Sequence, residues 1–448
     1  MADLLDLCRT AIAGARDGEQ AEAYAEETRQ TMVRARDREV DSFSSSESRG
    51  VGVRVLFDGR LGYAWAADPE PAEAAELLEA ARDNAAFATP DEANGLPQAA
   101  EADPIPGLFR EVQADLGPDR KVSLALDLER VTTEADPSVR RVEEAIYGDA
   151  VSRIAVASTP GLAAEYAGTD CWCMVLALAE QDGETQTGHA FRVGREIDEL
   201  DWEEAAREAA ERGARMLGAI KPKTERLPVI LDPWAASSFL GVLAGSLSAE
   251  EVQKGRSLLA DRVGEEVGSS LISLVDDGRL TEGPAAAPFD DEGVPTARTV
   301  LVERGVLRSF LHNTETARRG GAASTGNARR SSYRGVPGVA PSNLLVEAGS
   351  ASPEELLGRA GRSVYVQEVT GVHSGANPVS GEFSVGATGL RVEGGTLAEP
   401  LREMTVASTL LDMLTAVTAI GADLRFFPGG GAIGTPTLLV GEMTVAGR

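Results

Sequence analysis

Histidine and cysteine are scarce in this chain of 448 residues, with three of each, and that scarcity excludes more than any motif supplies. Cys8, Cys171 and Cys173 are too few and too unevenly spaced for a disulfide framework, which leads us to expect a reducing, cytoplasmic setting. Aromatic residues are only 5% of the chain. No run of about 18 apolar residues occurs, so no membrane span is expected. The opening MADLLDLCRTAIAGARDGEQ lacks a basic stretch followed by an apolar core and does not read as a secretion signal. Basic charge is also short: 43 Lys and Arg against 71 Asp and Glu give a net charge of −28, which repels phosphate backbones and argues against direct nucleic-acid binding.

What is present is ordinary for a globular protein of two or three domains, with 43% hydrophobic and 25% charged residues. Residues 3–15 carry Leu4, Leu5, Cys8, Ala11 and Ile12 on one helical stripe. Extended runs follow (AEAYAEETRQTMV, REVDSFSSSE, GVGVRVLFDG, RLGYAWAAD), and Asp58-Gly59 between two of them is a hairpin signal. A helix is expected from Asp68, with Pro69 in its first turn and Leu77, Leu78 and Ala81 inward. After an irregular Pro-rich segment, residues 89–118, the order recurs: a helix over Arg120–Ala135, then SVRRVEEAIYGD, AVSRIAVAST, GLAAEYAGTDCWCMVLALAE and TGHAFRVGR. A closing helix follows, with a capping box at Asp201 and Glu204. Two helix–meander–helix units of similar plan, a possible pseudo-duplication, therefore fill residues 1–220.

From residue 221 to 448 the pattern changes. PVILDP reads as a buried strand and Trp234–Leu247 as a helix apolar nearly all round. Strands and glycine turns dominate afterwards, including a hairpin turned at Arg304-Gly305. One further helix is expected over Ser408–Ile420, stopped by Gly421. The fold class is α+β, with an N-terminal α+β domain and a C-terminal, mostly β domain of curved or barrel-like sheet with a few buried helices.

The side chains able to do chemistry are dispersed. A hydrolytic zinc site takes three protein ligands and leaves one position for water, but His189, His312 and His373 are never paired at helical spacing. Cys171 and Cys173 face one side of a strand without a second pair and suit buried apolar positions better than a metal. Ser374 follows His373, but no G-x-S-x-G elbow accompanies it. Gly429-Gly430-Gly431 lacks the Lys-Ser/Thr of a phosphate loop. Arg318-Arg319, and Arg329-Arg330 with Arg334, are either solvated loop charges or contacts to an anion or carboxylate.

Three ordered blocks carry a resemblance. They are PFDDEGVPTARTVLVERGVLRSFLHNTETA from Pro288, TGNARRSSYRGVPGVAPSNLLVEAG from Thr325, and GVHSGANPVSGEFSVGATGLRVEGG from Gly371, followed by REMTVASTLLDML and GADLRFFP. Together they resemble the TldD/PmbA family, and the third block is closer to its TldE (PmbA) branch. In the TldD branch an HExxxH helix after the PVIL strand binds the metal, and a Cys near the C-terminus adds a ligand. Here that helix reads SSFLGVLAGSL, with Phe239, Leu240, Gly241 and Leu243, and FFPGGGAIGTPTLL contains no Cys. No catalytic residue and no metal ligand can therefore be carried over. The resemblance implies a non-catalytic subunit of a heterodimeric metallopeptidase that cleaves unfolded or leader peptides, with zinc on a TldD-type partner and no cofactor in this chain. Alternatives are a stand-alone binding or assembly homodimer and a metal-independent peptide-maturation enzyme. His373, Asn377, Glu382 and Phe383 are the candidates for facing substrate or partner, with GEFSVGAT offering strand edges to an extended peptide.

Overall fold

A computed structural model describes residues 3–447. The first helix, α1 (Leu4–Ile12), is capped by Asp3, whose carboxylate accepts the N–H groups of Leu5 and Asp6. Three long strands follow: β1 (Gln20–Arg36), β2 (Glu39–Phe57) and β3 (Arg60–Ala67). The turn at Asp58-Gly59 has both residues at positive φ, as a two-residue hairpin requires, and Asp37-Arg38 turns the preceding hairpin the same way. The runs REVDSFSSSE and GVGVRVLFDG are one continuous strand, β2, and not two. Helix α2 (Pro71–Ala85) starts later than Asp68, because Asp68 is left-handed and Glu70 with Glu73 forms the capping box instead.

In the Pro-rich segment only a short turn, α3 (Glu111–Ala114), is helical. Then α4 (Pro118–Ala135), β4 (Val139–Ser158), β5 (Ala163–Gln181), β6 (Glu184–Gly194) and α5 (Trp202–Ala214) repeat the plan. The expected capping box at α5 is absent. Asp201 has φ 43 and makes no side-chain cap, since the left-handed backbone turns its carboxylate away from the first-turn N–H groups.

The two meanders share one antiparallel sheet, ordered β3-β2-β1-β4-β5-β6, and meet at the β1–β4 pairing. Odd-numbered residues of β1 face the helices in both halves. Ala21, Ala23 and Ala25 join Leu7, Leu77 and Leu78 under α1 and α2, whereas Val33 and Ala35 join Leu124, Leu128 and Ala209 under α4 and α5. The even-numbered residue Tyr24 instead meets Phe289 and Tyr333 of the C-terminal half.

That half holds two further sheets. One closes into a five-stranded barrel: β7 (Glu225–Leu231) lies beside Ser363–Thr370, followed by Glu382–Glu393, Thr396–Thr409 and Leu438–Ala446, which returns to β7. The other is a mixed sheet that includes Leu274–Asp277, Arg298–Glu303, Asn343–Val346 and Ala432–Thr435. Helix α6 (Pro233–Ser246) packs between them, with Phe239, Leu240 and Leu243 in one core with Val366 and Val406 of the barrel and Leu274 and Leu344 of the second sheet. The helix expected over Ser408–Ile420 is confined to Leu410–Thr415. Val417–Ile420 is a strand on Leu438–Val440, where the β-branched Val417, Thr418 and Ile420 favour extended backbone.

Candidate functional site

Helix α6 follows the central strand β7 and carries one partly open face. Asp232 caps it by accepting the Trp234 N–H at 2.9 Å. The same buried carboxylate receives Arg212 at 3.0 and 3.2 Å and the Tyr365 hydroxyl at 2.5 Å. Burial works against its charge, but the Arg212 guanidinium prevails and holds the carboxyl below its ordinary range. Arg212 also reaches Glu208, which accepts from Arg192 and Arg425 as well. Despite burial, these guanidinium groups, Arg425 foremost, hold the Glu208 carboxyl down to about 2. This network binds α5 and β6 to the start of α6.

His189 of β6 lies against the same corner. Its ring centroid is 4.6 Å from that of Trp234, and Nδ1 is 3.8 Å from Glu368. Burial, reinforced by Arg212, pushes its pKa down to about 4, so the imidazole is neutral at pH 7. His312 is elsewhere, with Nδ1 3.3 Å from the Thr316 hydroxyl, and His373 is exposed. The three histidines have separate surroundings. Along the open face of α6 stand Ser237, Ser238, Gly241 and Gly245, none of them a metal ligand of the usual kind. Among the described residues no group of three or more His, Cys, Asp or Glu is placed to hold a metal ion. Cys171 and Cys173 are buried in the sheet core, and burial pushes the Cys173 thiol up to about 12. The described residues around α6 do not fit a catalytic metal.

The Gly371–Gly389 stretch lies at the far end of α6, where the Ser246 hydroxyl donates to the Pro378 carbonyl at 3.2 Å. A single helical turn, Val372–Gly375, starts at Gly371 with φ 72. Asn377 then builds the loop: its side-chain oxygen accepts the N–H groups of Val379 and Ser380, and its own N–H donates to the Glu382 carbonyl. His373, Asn377 and Glu382 are exposed and lie along this one segment. Phe383 is not with them. It is 4% exposed and packs on Phe239 of α6 with ring centroids 4.6 Å apart, so it is a core residue and cannot face a partner in this form. Nor does GEFSVGAT present a free edge. Glu382–Ala387 pairs with Met404–Thr409 on one side, while its other side meets Thr370 and Val369 or is bridged by Ala376 and Asn377.

The arginine clusters have partners far away in sequence. Arg330 is buried and donates to Glu22 of β1 at 2.5 Å and, through its backbone N–H, to Asp291 at 2.6 Å. Glu22 also accepts from Arg54 of β2 at 2.7 Å, and Arg54 reaches Glu292 at 2.9 Å. Burial opposes the Arg54 charge, but Glu22 and Glu292 more than offset it and raise its pKa. Glu292 accepts the Thr314 N–H at the start of the next helix. The Asp-Asp-Glu turn and the Ala328–Arg334 loop thus form a buried ionic joint between the N-terminal sheet and the C-terminal half. For Arg330, a buried carboxylate contact replaces the solvated-charge reading, and Arg329 donates to the Ala285 carbonyl at 3.2 Å; Arg334 is exposed and stacks over Trp65 and Tyr333. The signal was an acidic turn and a basic run in neighbouring blocks, but nothing local links either to Glu22.

Comparison with known proteins matches three family models along the chain: PmbA/TldA metallopeptidase domain 1 over residues 21–85, the central domain over 111–217, and the C-terminal domain over 224–447. The metalloprotease PmbA of Escherichia coli O157:H7 is 27% identical over 437 residues, covering 97% of this chain and 93% of that protein. A Thermotoga maritima protein put forward as a modulator of a DNA gyrase has a crystal structure that superposes with a TM-score of 0.90 at 28% identity, covering 98% and 99% of the two chains. TldE of Thermococcus kodakarensis shares the fold, with a TM-score of 0.90 at 24% identity over 99% of each chain.

Proposed function

The chain belongs to the PmbA/TldD metallopeptidase family, and from that premise we propose that it is the TldE-type, non-catalytic subunit of a peptidase acting on unfolded or leader peptides. The observation that supports this most is the open face of α6. Ser237, Ser238, Gly241 and Gly245 occupy the helix that follows β7, where the resemblance places an HExxxH motif in the TldD branch. A helix with those residues has nothing to lower the pKa of a bound water, the step on which metal-assisted hydrolysis depends. The metal, zinc by the same resemblance, then belongs to a TldD-type partner, and this chain contributes surface and shape.

In this reading His373, Asn377 and Glu382 face the partner or the peptide, on a loop fixed to the end of α6 by the Ser246–Pro378 hydrogen bond. The test is hydrolysis of an unstructured peptide by this chain alone, by a TldD-type protein alone and by the two mixed. Activity appearing or rising strongly only in the mixture supports the reading. Chelator-sensitive hydrolysis by this chain alone contradicts it.

A further inference from the structure

The outer edge of β2 is open over most of the strand's first half. Residues Gly50–Phe57 pair with β3, but among the described residues no strand pairs with the outer edge of Glu39–Ser48, and each of those residues is exposed. A long strand edge with its outward N–H and C=O groups unpaired is a template for another chain, and soluble proteins usually blunt such edges with Lys, Pro or a covering element. Among the described residues neither Lys, Pro nor a covering element occurs between Glu39 and Ser48, and the one bulge, at Asp41, lies near the start of the strand. The inner edge is held by pairing with β1, interrupted only by a bulge at Asp41, and β1 pairs with β4 beyond. The free edge is therefore rigid before anything binds, which lowers the ordering cost of adding a strand.

Its side chains decide the occupant. Glu39, Asp41 and Glu47 are the only charges in the stretch. Asp41 is 3.6 Å from Arg34, but Glu39 and Glu47 make no ion pair among the described residues. A second copy could pair with this edge across a two-fold axis. Pairing over most of the edge brings the Glu39, Asp41 and Glu47 side chains of one copy alongside the same acids of the other. Like charges directly opposite each other destabilise a strand pair. A basic strand suffers no such clash. On one face Ser42, Ser44, Ser46 and Ser48 are small and uncharged, so they impose little side-chain selection, while Phe43 and Glu47 on the other favour an apolar or basic residue.

We propose that the Glu39–Ser48 edge of β2 is a docking site for an extended, lysine- or arginine-containing peptide segment, bound by β-strand addition. The site depends on the strand edge alone and stands whether or not the chain has a metal-bearing partner.

The experiment uses the full chain and a fluorescent peptide of alternating lysine and threonine, long enough to span the edge, read by anisotropy and by hydrogen exchange. Binding should slow exchange at amides within residues 40–48, and a proline-interrupted version of the peptide should not bind. The double variant Glu39→Lys/Glu47→Lys, which changes only exposed side chains, should bind about threefold to tenfold more weakly, the size expected for one or two exposed ion pairs. Ser44→Pro should interrupt the edge. If that variant does not fold, the lysine variant still decides the matter. Absence of binding, protection elsewhere, or unchanged affinity in the lysine variant overturns the proposal. A dimer that forms through residues 40–48 without peptide also overturns it and makes a second copy the occupant.

Discussion

The ionic joint at Glu22 and Arg330 and the loop at Gly371–Gly381 both lie in stretches that stand out in the sequence, but they occupy opposite environments. At the joint, charges are buried and every carboxylate meets a guanidinium or a backbone N–H. At the loop, polar side chains are exposed and bond mainly within their own segment. A distinctive motif can therefore hold a fold together or present a surface, and burial decides which. Charges at the joint answer to stability, whereas charges at the loop are free to answer to a partner.

The largest effect should come from breaking the joint. Arg330→Ala leaves Glu22 and Asp291 buried with one fewer cation, and stability should fall by about 3–5 kcal/mol. Denaturant unfolding checks this, and a chain of unchanged stability would break the contrast. Phe383→Ala should cost a similar amount, about 3–5 kcal/mol, because it opens a cavity against Phe239. An effect under about 1 kcal/mol, as for a surface residue, would return Phe383 to the set of partner-facing candidates.

His189 extends the contrast to pH. Its folded pKa of about 4 lies below the ordinary value near 6.5. Between those values the unfolded chain binds a proton that the folded chain does not, so stability is full above about pH 6.5 and declines as pH falls towards 4. The decline from this group should be on the order of 2–4 kcal/mol, and His189→Phe should flatten it when thermal unfolding is followed from pH 7 to pH 4. A slope identical in the variant would place the pH dependence elsewhere.

The smallest stability effect belongs to the loop. His373→Ala should change stability by less than about 0.5 kcal/mol, but it should weaken activity or assembly in the presence of a TldD-type partner. A large loss of stability with no change in assembly would give the loop the character of the joint.

Local signals made much of this legible. Asp58-Gly59 and Arg304-Gly305 turn hairpins with both residues at positive φ, and Leu77, Leu78 and Ala81 face inward on α2. The α+β class, the two meander units and the barrel follow from such signals. The failures have physical causes. Val417–Ile420 continues the apolar spacing of a helix, and only its pairing with Leu438–Val440 makes it a strand. Phe383 alternates correctly along its strand, but alternation alone does not say which face is inside the barrel. The partner of Arg330 is 308 residues away, beyond the reach of any periodicity. In the candidate site, the bare face of α6 could be read from residue types, whereas the coverage of the GEFSVGAT edges by Thr396–Thr409 and by Ala376 and Asn377 could not.

The proposed function places no metal on this chain. Its most direct test is the metal content of the purified chain after dialysis, measured by elemental mass spectrometry beside a TldD-type protein handled identically. The expected result is substoichiometric metal in this chain and stoichiometric metal in the other. One equivalent retained here, removed by chelator and restored with peptide hydrolysis, would contradict it.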